Sequence, residues 1–254
     1  MNNQKDYTIA EFFTLPSKGN VYKELIDPKV QLRSMTTAEE MRRLSPTEHP
    51  YENLCSIIDD CMVTGPKISS YDMCLGDYQF LLYQLRIVTY GADYNLQMTC
   101  PYCGTTQTAK INLGELVIKE YSDEIEKYRT VELPVSKKTI KLKMKTPRIL
   151  DNIQIKLKEF KRRNTENSLN ASILYSISCI IDTVDGRKVN EAKLEEFIRT
   201  LPMKDTNILI NYSDKLDSLI GIDSNITFKC DMCGLEHDGK LSITNEFFRP
   251  ALDI

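Results

Sequence analysis

Met98-Thr99-Cys100-Pro101-Tyr102-Cys103-Gly104 and Phe228-Lys229-Cys230-Asp231-Met232-Cys233-Gly234 decide how this chain folds, because both read x-x-C-x-x-C-G. Two residues between the cysteines let both thiolates point at one ion from a tight turn. The glycine after the second cysteine supplies the positive φ that turns the chain back. Strand-like sequence flanks both turns. Tyr94, Leu96 and Met98 precede the first, and Ile111 and Leu113 follow it; Ile226 and Phe228 precede the second, and Leu241 and Ile243 follow. Each knuckle is therefore predicted at the tip of a β-hairpin.

One knuckle offers two ligands, whereas structural zinc takes four in a closed tetrahedral shell. Cys100, Cys103, Cys230 and Cys233 are thus the predicted ligands of a single structural Zn2+. Some 126 residues separate the pairs, far more than the spacing within one zinc-binding module. The distance becomes natural if the two hairpins are equivalent parts of a doubled chain that meet at the metal. Closing so long a loop costs entropy only logarithmically, and zinc binding outweighs it. Two unrelated reduced pairs, or redox-active C-x-x-C pairs, are the alternatives. A redox motif belongs at a strand-to-helix turn, whereas these motifs sit on hairpins. His237, four residues after Cys233, is read as a turn residue beside Asp238-Gly239 rather than a ligand. His49, before Pro50, is read as a loop residue.

The doubling is written along the whole chain. Leu15-Pro16-Ser17-Lys18 opens one half and Leu133-Pro134-Val135-Ser136-Lys137 the other. A strand follows each, Val30 to Arg33 and Ile140 to Met144, the second alternating apolar residues with lysines. Helix starts come next: Thr36 and Thr37 stand three before Glu39 and Glu40, and Thr146 precedes Pro147. Ser56-Ile57-Ile58-Asp59-Asp60 matches Cys179-Ile180-Ile181-Asp182-Thr183 in amphipathic helices. The turns Thr64-Gly65-Pro66-Lys67 and Asp185-Gly186-Arg187-Lys188 come after. A helical region follows over 77–90 in one half, and two follow over 191–199 and 204–220 in the other, the first behind an Asn190 cap.

The expected fold class is α+β: two degenerate copies of a strand–helices–β-hairpin unit joined at a four-cysteine, zinc-ribbon-like site. The units are residues 15–114 and 131–246. Residues 115–130 form a charged linker, helical around Tyr121 to Tyr128. Residues 1–14 form an N-terminal arm and 247–254 a C-terminal tail. Both end segments carry aromatics outside the units, so they either dock partners or cover their own core.

Composition fits an ordinary globular protein: 254 residues, 41% hydrophobic and 27% charged, enough to bury a core without disulfides. Residues 1–7 are polar with no apolar stretch behind them, and no segment reaches the ~18 apolar residues of a membrane span. The chain is read as folding in a reducing cytoplasm, where eight cysteines point to metal or packing. Cys55, Cys61, Cys74 and Cys179 stand alone in apolar surroundings and read as small buried hydrophobes.

A filled shell of four thiolates leaves no open position for catalysis. No H-E-x-x-H, G-x-S-x-G, Walker A or dinucleotide pattern is present, and with two histidines acid–base options are few. The expectation is a non-enzyme with no small-molecule substrate. Asp59, Asp60 and Asp182 read as structural hydrogen-bonding groups at helix ends. A net charge of −3 and acidic residues around the second knuckle argue against a nucleic-acid partner. The basic run Lys156, Lys158, Lys161, Arg162 and Arg163 reads as the wet face of a helix.

Leu15 to Gly19 (Leu-Pro-Ser-Lys-Gly), Met35 to Glu39 (Met-Thr-x-x-Glu), Leu75 to Leu82 (Leu-Gly-Asp-x-x-Phe-Leu-Leu), Arg86 to Gly91 and the Cys-Pro-x-Cys-Gly knuckle form an ordered set. Over 15–113 this set resembles the base plate protein family of T4-like contractile-tailed bacteriophages, with Tyr78 where the family usually carries arginine. The resemblance implies a structural or assembly role in the baseplate hub at the distal end of the tail. Partners would be other baseplate or tail proteins, and the location the virion after assembly in the host cytoplasm. An assembly chaperone absent from the mature virion, and a zinc-ribbon nucleic-acid-binding protein, are the competing functions.

Overall fold

In the computed structural model, which describes residues 10–163, 171–243 and 245–248, each Leu-Pro turn closes on its leucine carbonyl, the second turn one residue longer. Lys18 N donates to Leu15 O at 2.9 Å and Lys137 N to Leu133 O at 3.0 Å. Both lysines adopt the left-handed region, with φ of 52° and 56°. The first turn follows strand β1 (Ala10–Thr14) and leads toward β2 (Lys29–Arg33).

The second half carries the same plan. Its turn joins β7 (Thr130–Glu132) to β8 (Thr139–Leu142). A third antiparallel strand completes each sheet, β3 (Met62–Thr64) beside β2 and β9 (Ile181–Val184) beside β8. Both sheets carry the same irregularity. Gln31 faces Thr64 and Leu32 faces Met62, passing over Val63; Lys141 faces Thr183 and Leu142 faces Ile181, passing over Asp182. A bulge of this kind re-aims the strand where a helix runs into it. Along β8, Ile140 and Leu142 are buried and Lys141 is exposed, as its alternation predicts.

Two helices bridge the second and third strands of each sheet: α1 (Thr37–Leu44) and α2 (Pro50–Cys61), then α5 (Pro147–Arg163) and α6 (Ser172–Ile180). The predicted capping box forms at α1, where Thr36 N donates to Glu39 Oε2 at 2.6 Å. Thr146 Oγ1 accepts from Ile149 N at 3.3 Å at the start of α5. After the third strand come α3 (Leu75–Tyr90) in one half, and α7 (Glu191–Thr200) and α8 (Met203–Ser218) in the other. Both α3 and α8 run 16 residues.

Each of those helices carries a fully buried aspartate in its third position. Asp77 accepts from Ser17 N at 2.9 Å, Ser17 Oγ at 2.5 Å and Tyr22 OH at 2.6 Å. Asp205 accepts from Val135 N at 3.0 Å and Ser136 N at 2.8 Å. A buried carboxylate is tolerable only when its oxygens are satisfied, and a helix N-terminus favours its charge. The Leu-Pro turn of each half is thereby pinned to a helix that lies far along the chain.

Two apolar clusters follow, one per half, but they share material. Cys74, just before α3, lies in the second core. Leu241, Phe247 and Phe248, from the end of the chain, lie in the first. Residues 10–14, read as the end of an arm, form β1 within the first sheet, where Phe13 meets Phe80 edge-on. Phe247 and Phe248 cover the core rather than face outward, at 0% and 2% exposure. Residues 1–9 and 249–254, which the docking reading of the termini also invoked, fall outside the described residues.

The segment 115–130 is not a free linker. It supplies β6 (Ile118–Lys119), which pairs with β10 (Gly221–Ile222). The helix in it, α4, spans Glu124–Arg129, starting later than the expected Tyr121. Tyr121 N instead donates to Pro16 O. Further ties cross between the halves. Asp151 of α5 caps α2 through Glu52 N at 2.9 Å and takes the Tyr71 hydroxyl at 3.0 Å. Arg148 pairs with Asp72 at 2.6 Å. Among the described residues no helix is long and apolar enough to cross a membrane.

Candidate metal centre

Helix α3 ends at Gly91 and feeds β4 (Asp93–Thr99), which pairs in full register with β5 (Thr106–Asn112). After β10, β11 (Asn225–Lys229) pairs with β12 (Glu236–Lys240). Both knuckles therefore sit on hairpin tips, as their flanking periodicity requires, and both are locked by the same two bonds. Cys100 N donates to Thr105 O and Gly104 N to Cys100 O; Cys230 N donates to Leu235 O and Gly234 N to Cys230 O. Gly104 and Gly234 have φ of 73° and 71°, in the region where a side chain is strained.

The two tips meet. Cys100 Sγ lies 3.7 Å from Cys233 Sγ, and Cys103 Sγ lies 3.6 Å from Cys230 Sγ. All four sulfurs fall within 4.8 Å of one another. A disulfide would require about 2.05 Å. Thiolates ~2.3 Å from a central zinc in tetrahedral array lie about 3.8 Å apart, so the donor set fits such an ion in both chemistry and spacing. The group could hold a metal ion.

Cys100 and Cys230 are buried while Cys103 and Cys233 are exposed, so each knuckle presents one inner and one outer sulfur. The Thr105 hydroxyl and amide hold the Cys103 thiol down to about 6. The Leu235 amide draws the Cys233 thiol down, but burial and the other three sulfurs outweigh it and push it up to about 11. Four sulfurs this close cannot all be charged without a cation among them.

Two contributors had no role in the site that the sequence could assign. Gln107 of β5 reaches across to the second hairpin: its Nε2 donates to Lys229 O at 3.1 Å and its Oε1 accepts from Asp231 N at 3.0 Å. It grips the backbone on both sides of Cys230. In sequence it is one more polar residue of a strand, although it shares the half-buried face of Ala109 and Ile111. Arg86 is wholly buried and donates to Phe247 O at 2.9 Å, Gly91 O at 2.6 Å and Asp93 O at 3.1 Å. It ties the base of the first hairpin to the end of the chain.

His237 differs from its reading as a turn residue. It stands in β12 opposite Phe228, 7% exposed. Its ring centroid is 3.5 Å from that of Phe228 and 6.3 Å from that of Tyr102. The turn chemistry of Asp238-Gly239 suggested a reversal there, yet the reversal occurs at the knuckle and β12 continues through both residues. His237 Nδ1 and Nε2 find no hydrogen-bond partner among the described residues, and they are not grouped with the four sulfurs. His49 lies at the entry to α2.

The other cysteines stand apart from this centre. Burial pushes the Cys55 and Cys61 thiols up to about 12, and Cys74 is raised by burial as well; Cys179 is half-buried. Such thiols are poor nucleophiles. Asp59 accepts from Ser69 Oγ and Ser70 N, and Asp60 pairs with Arg42, both structural roles. Lys158, Lys161 and Arg162 are exposed on α5, and Lys156 pairs with Glu191.

The family described as T4 bacteriophage base plate protein matches residues 8–249, nearly the whole chain. No curated protein and no solved structure matches it.

Proposed function

The chain belongs to the T4 bacteriophage base plate protein family, and from that membership we propose that it serves in the hub region of the baseplate as a zinc-clamped scaffold acting through protein–protein contacts. Membership makes it a structural baseplate component with a place in the virion tail. The finer reading rests on one observation: four cysteine sulfurs from hairpins more than a hundred residues apart gather within 4.8 Å. Cys100, Cys103, Cys230 and Cys233 would hold the ion, and it would supply a crosslink between the halves, not chemistry. A shell filled by four thiolates has no place for a substrate.

In this reading residues 15–114 and 131–246 descend from one unit. The matching bulges, the matching aspartates on α3 and α8, and the matching knuckles support it. The second unit then carries α7 as its additional helix. A doubled unit clamped at its junction presents wide, rigid outer faces, which suits a part that must hold neighbours in fixed relation.

Two measurements test the proposal. Native mass spectrometry of the purified chain should give the mass of one zinc per chain, lost in Cys103→Ser/Cys230→Ser. Proteomics of purified tails, followed by cross-linking, should find the chain joined to hub proteins. Finding it in infected cells but never in tails would make it an assembly factor and overturn the scaffold.

A further inference from the structure

A cleft of about 1310 Å³ runs between the two halves, on the side formed by residues 21–26 and 67–68 of the first and by β8, β9, α5 and the start of α7 of the second. Its rim is unusually cationic for an acidic chain. Lys23, Lys67, Lys141, Lys143 and Lys188 line it, all exposed. None of the five has a carboxylate partner among the described residues, whereas lysines elsewhere, such as Lys18, Lys119, Lys138 and Lys145, are paired. Of the acidic residues on the same walls, Asp72 is taken by Arg148 and Glu191 by Lys156. Among the described residues only Glu24 and Asp182 on these walls are left to oppose the five ammonium groups. Such a concentration of one sign in a cleft with apolar walls raises the local field well above that of the same charges spread over a surface.

The floor is apolar. Ile26, Ile68, Ile149 and Val189 are half-buried there, so they are partly wet. Among the described residues, Tyr22 is the one aromatic side chain on the walls, and its hydroxyl is bound to Asp77. Single-stranded nucleic acid is held by stacking together with backbone charge, and only the charge is available here. A protein segment meets both demands, with carboxylates for the rim and aliphatic side chains for the floor.

We propose that this cleft is a docking groove for an acidic, aliphatic-rich segment of another protein, held by Lys23, Lys67, Lys141, Lys143 and Lys188 over the apolar floor. The proposal rests on the reading that the chain works through protein contacts and gives one of those contacts a chemistry. Lys141 stands on the outer face of β8 and Lys143 just past its end, both exposed, so changing them leaves the core alone.

The test is a peptide-display selection against the purified full chain. Peptides recovered should interleave Asp or Glu with Leu, Ile or Val. A synthetic copy of the best should bind wild type and a Lys158→Glu/Lys161→Glu control equally, weaken as salt rises, and bind Lys141→Glu/Lys143→Glu about tenfold or more weakly. An unchanged circular dichroism melt would show that the variant is folded. The proposal is overturned if no peptide is enriched, if those recovered lack acidic bias, or if the variant binds equally well. Tighter binding of a short single-stranded oligonucleotide at the same lysines would also overturn it. So would self-association in sedimentation that Lys141→Glu/Lys143→Glu abolishes, which would give the groove to a second copy. Purified chain suffices for all of these, so its absence from tails would bear on the hub reading alone.

Discussion

Asp77 and Asp205 show what single residues contribute. Each is sealed from solvent and each accepts hydrogen bonds from the opening turn of its own half. Removing such an acceptor strands its donors without water. Asp205→Ala should lower the urea midpoint of unfolding, and Asp205→Asn, which keeps one acceptor, should lower it clearly less. Glu39 gives a pH dependence. The Arg33 guanidinium, helped by Thr36, holds its carboxyl down at about 2. A carboxylate depressed in the folded state lends stability above its unfolded value near 4.5, and that stability is lost as pH falls toward 2. Glu39→Gln should therefore flatten the acid limb of a thermal-melt series between pH 4.5 and 2. The capping role of Glu39 and the hairpin-tip placement of the four cysteines were legible in the sequence, because capping boxes and C-x-x-C knuckles act over a few positions. Asp205, Gln107 and His237 act on partners that only folding brings close.

At the scale of elements, the hairpins, the amphipathic helices and the lysine-alternating strand could be read from periodicity. Strands β6 and β10 could not, since two residues carry no period. Their pairing matters because it sits beside a close backbone approach of the halves. A Cβ on Gly76, in the first turn of α3, would lie 2.5 Å from the carbonyl oxygen of Ile220. The adjacent Gly221, at φ +109°, would meet the backbone of Gly76 in turn. The Leu-Gly-Asp segment thus owes its glycine to a backbone crossing and its aspartate to the Ser17 turn. Gly76→Ala should cost about 2 kcal/mol, read as a lowered urea midpoint with unchanged slope. Gly104→Ala meets nothing within 4 Å, and only its left-handed φ is strained, at about 1 kcal/mol.

Across the whole molecule the halves are interleaved rather than abutted. The last described turn, Asn245–Phe248, returns to the first core, where Phe247 packs on Tyr83 and Tyr94 at 4.8 and 5.5 Å. Phe247→Ala should therefore destabilise the protein by about 3–5 kcal/mol in calorimetry, although it lies 161 positions from Arg86, which binds its carbonyl. The sequence placed these residues outside both units because an aromatic pair near a chain end has the same composition whether it docks a partner or seals its own core. The mixed helix-and-sheet class and the meeting of the two knuckles, by contrast, could be read from the order of the motifs. In the proposed reading an ion held by the four cysteines adds a clamp at the hairpin tips to these ties. Zinc K-edge X-ray absorption of the purified chain, with the metal quantified, tests it most directly: one zinc per chain with four sulfur neighbours at about 2.3 Å is the predicted result. Protein free of zinc, or zinc bound by nitrogen and oxygen, would contradict it.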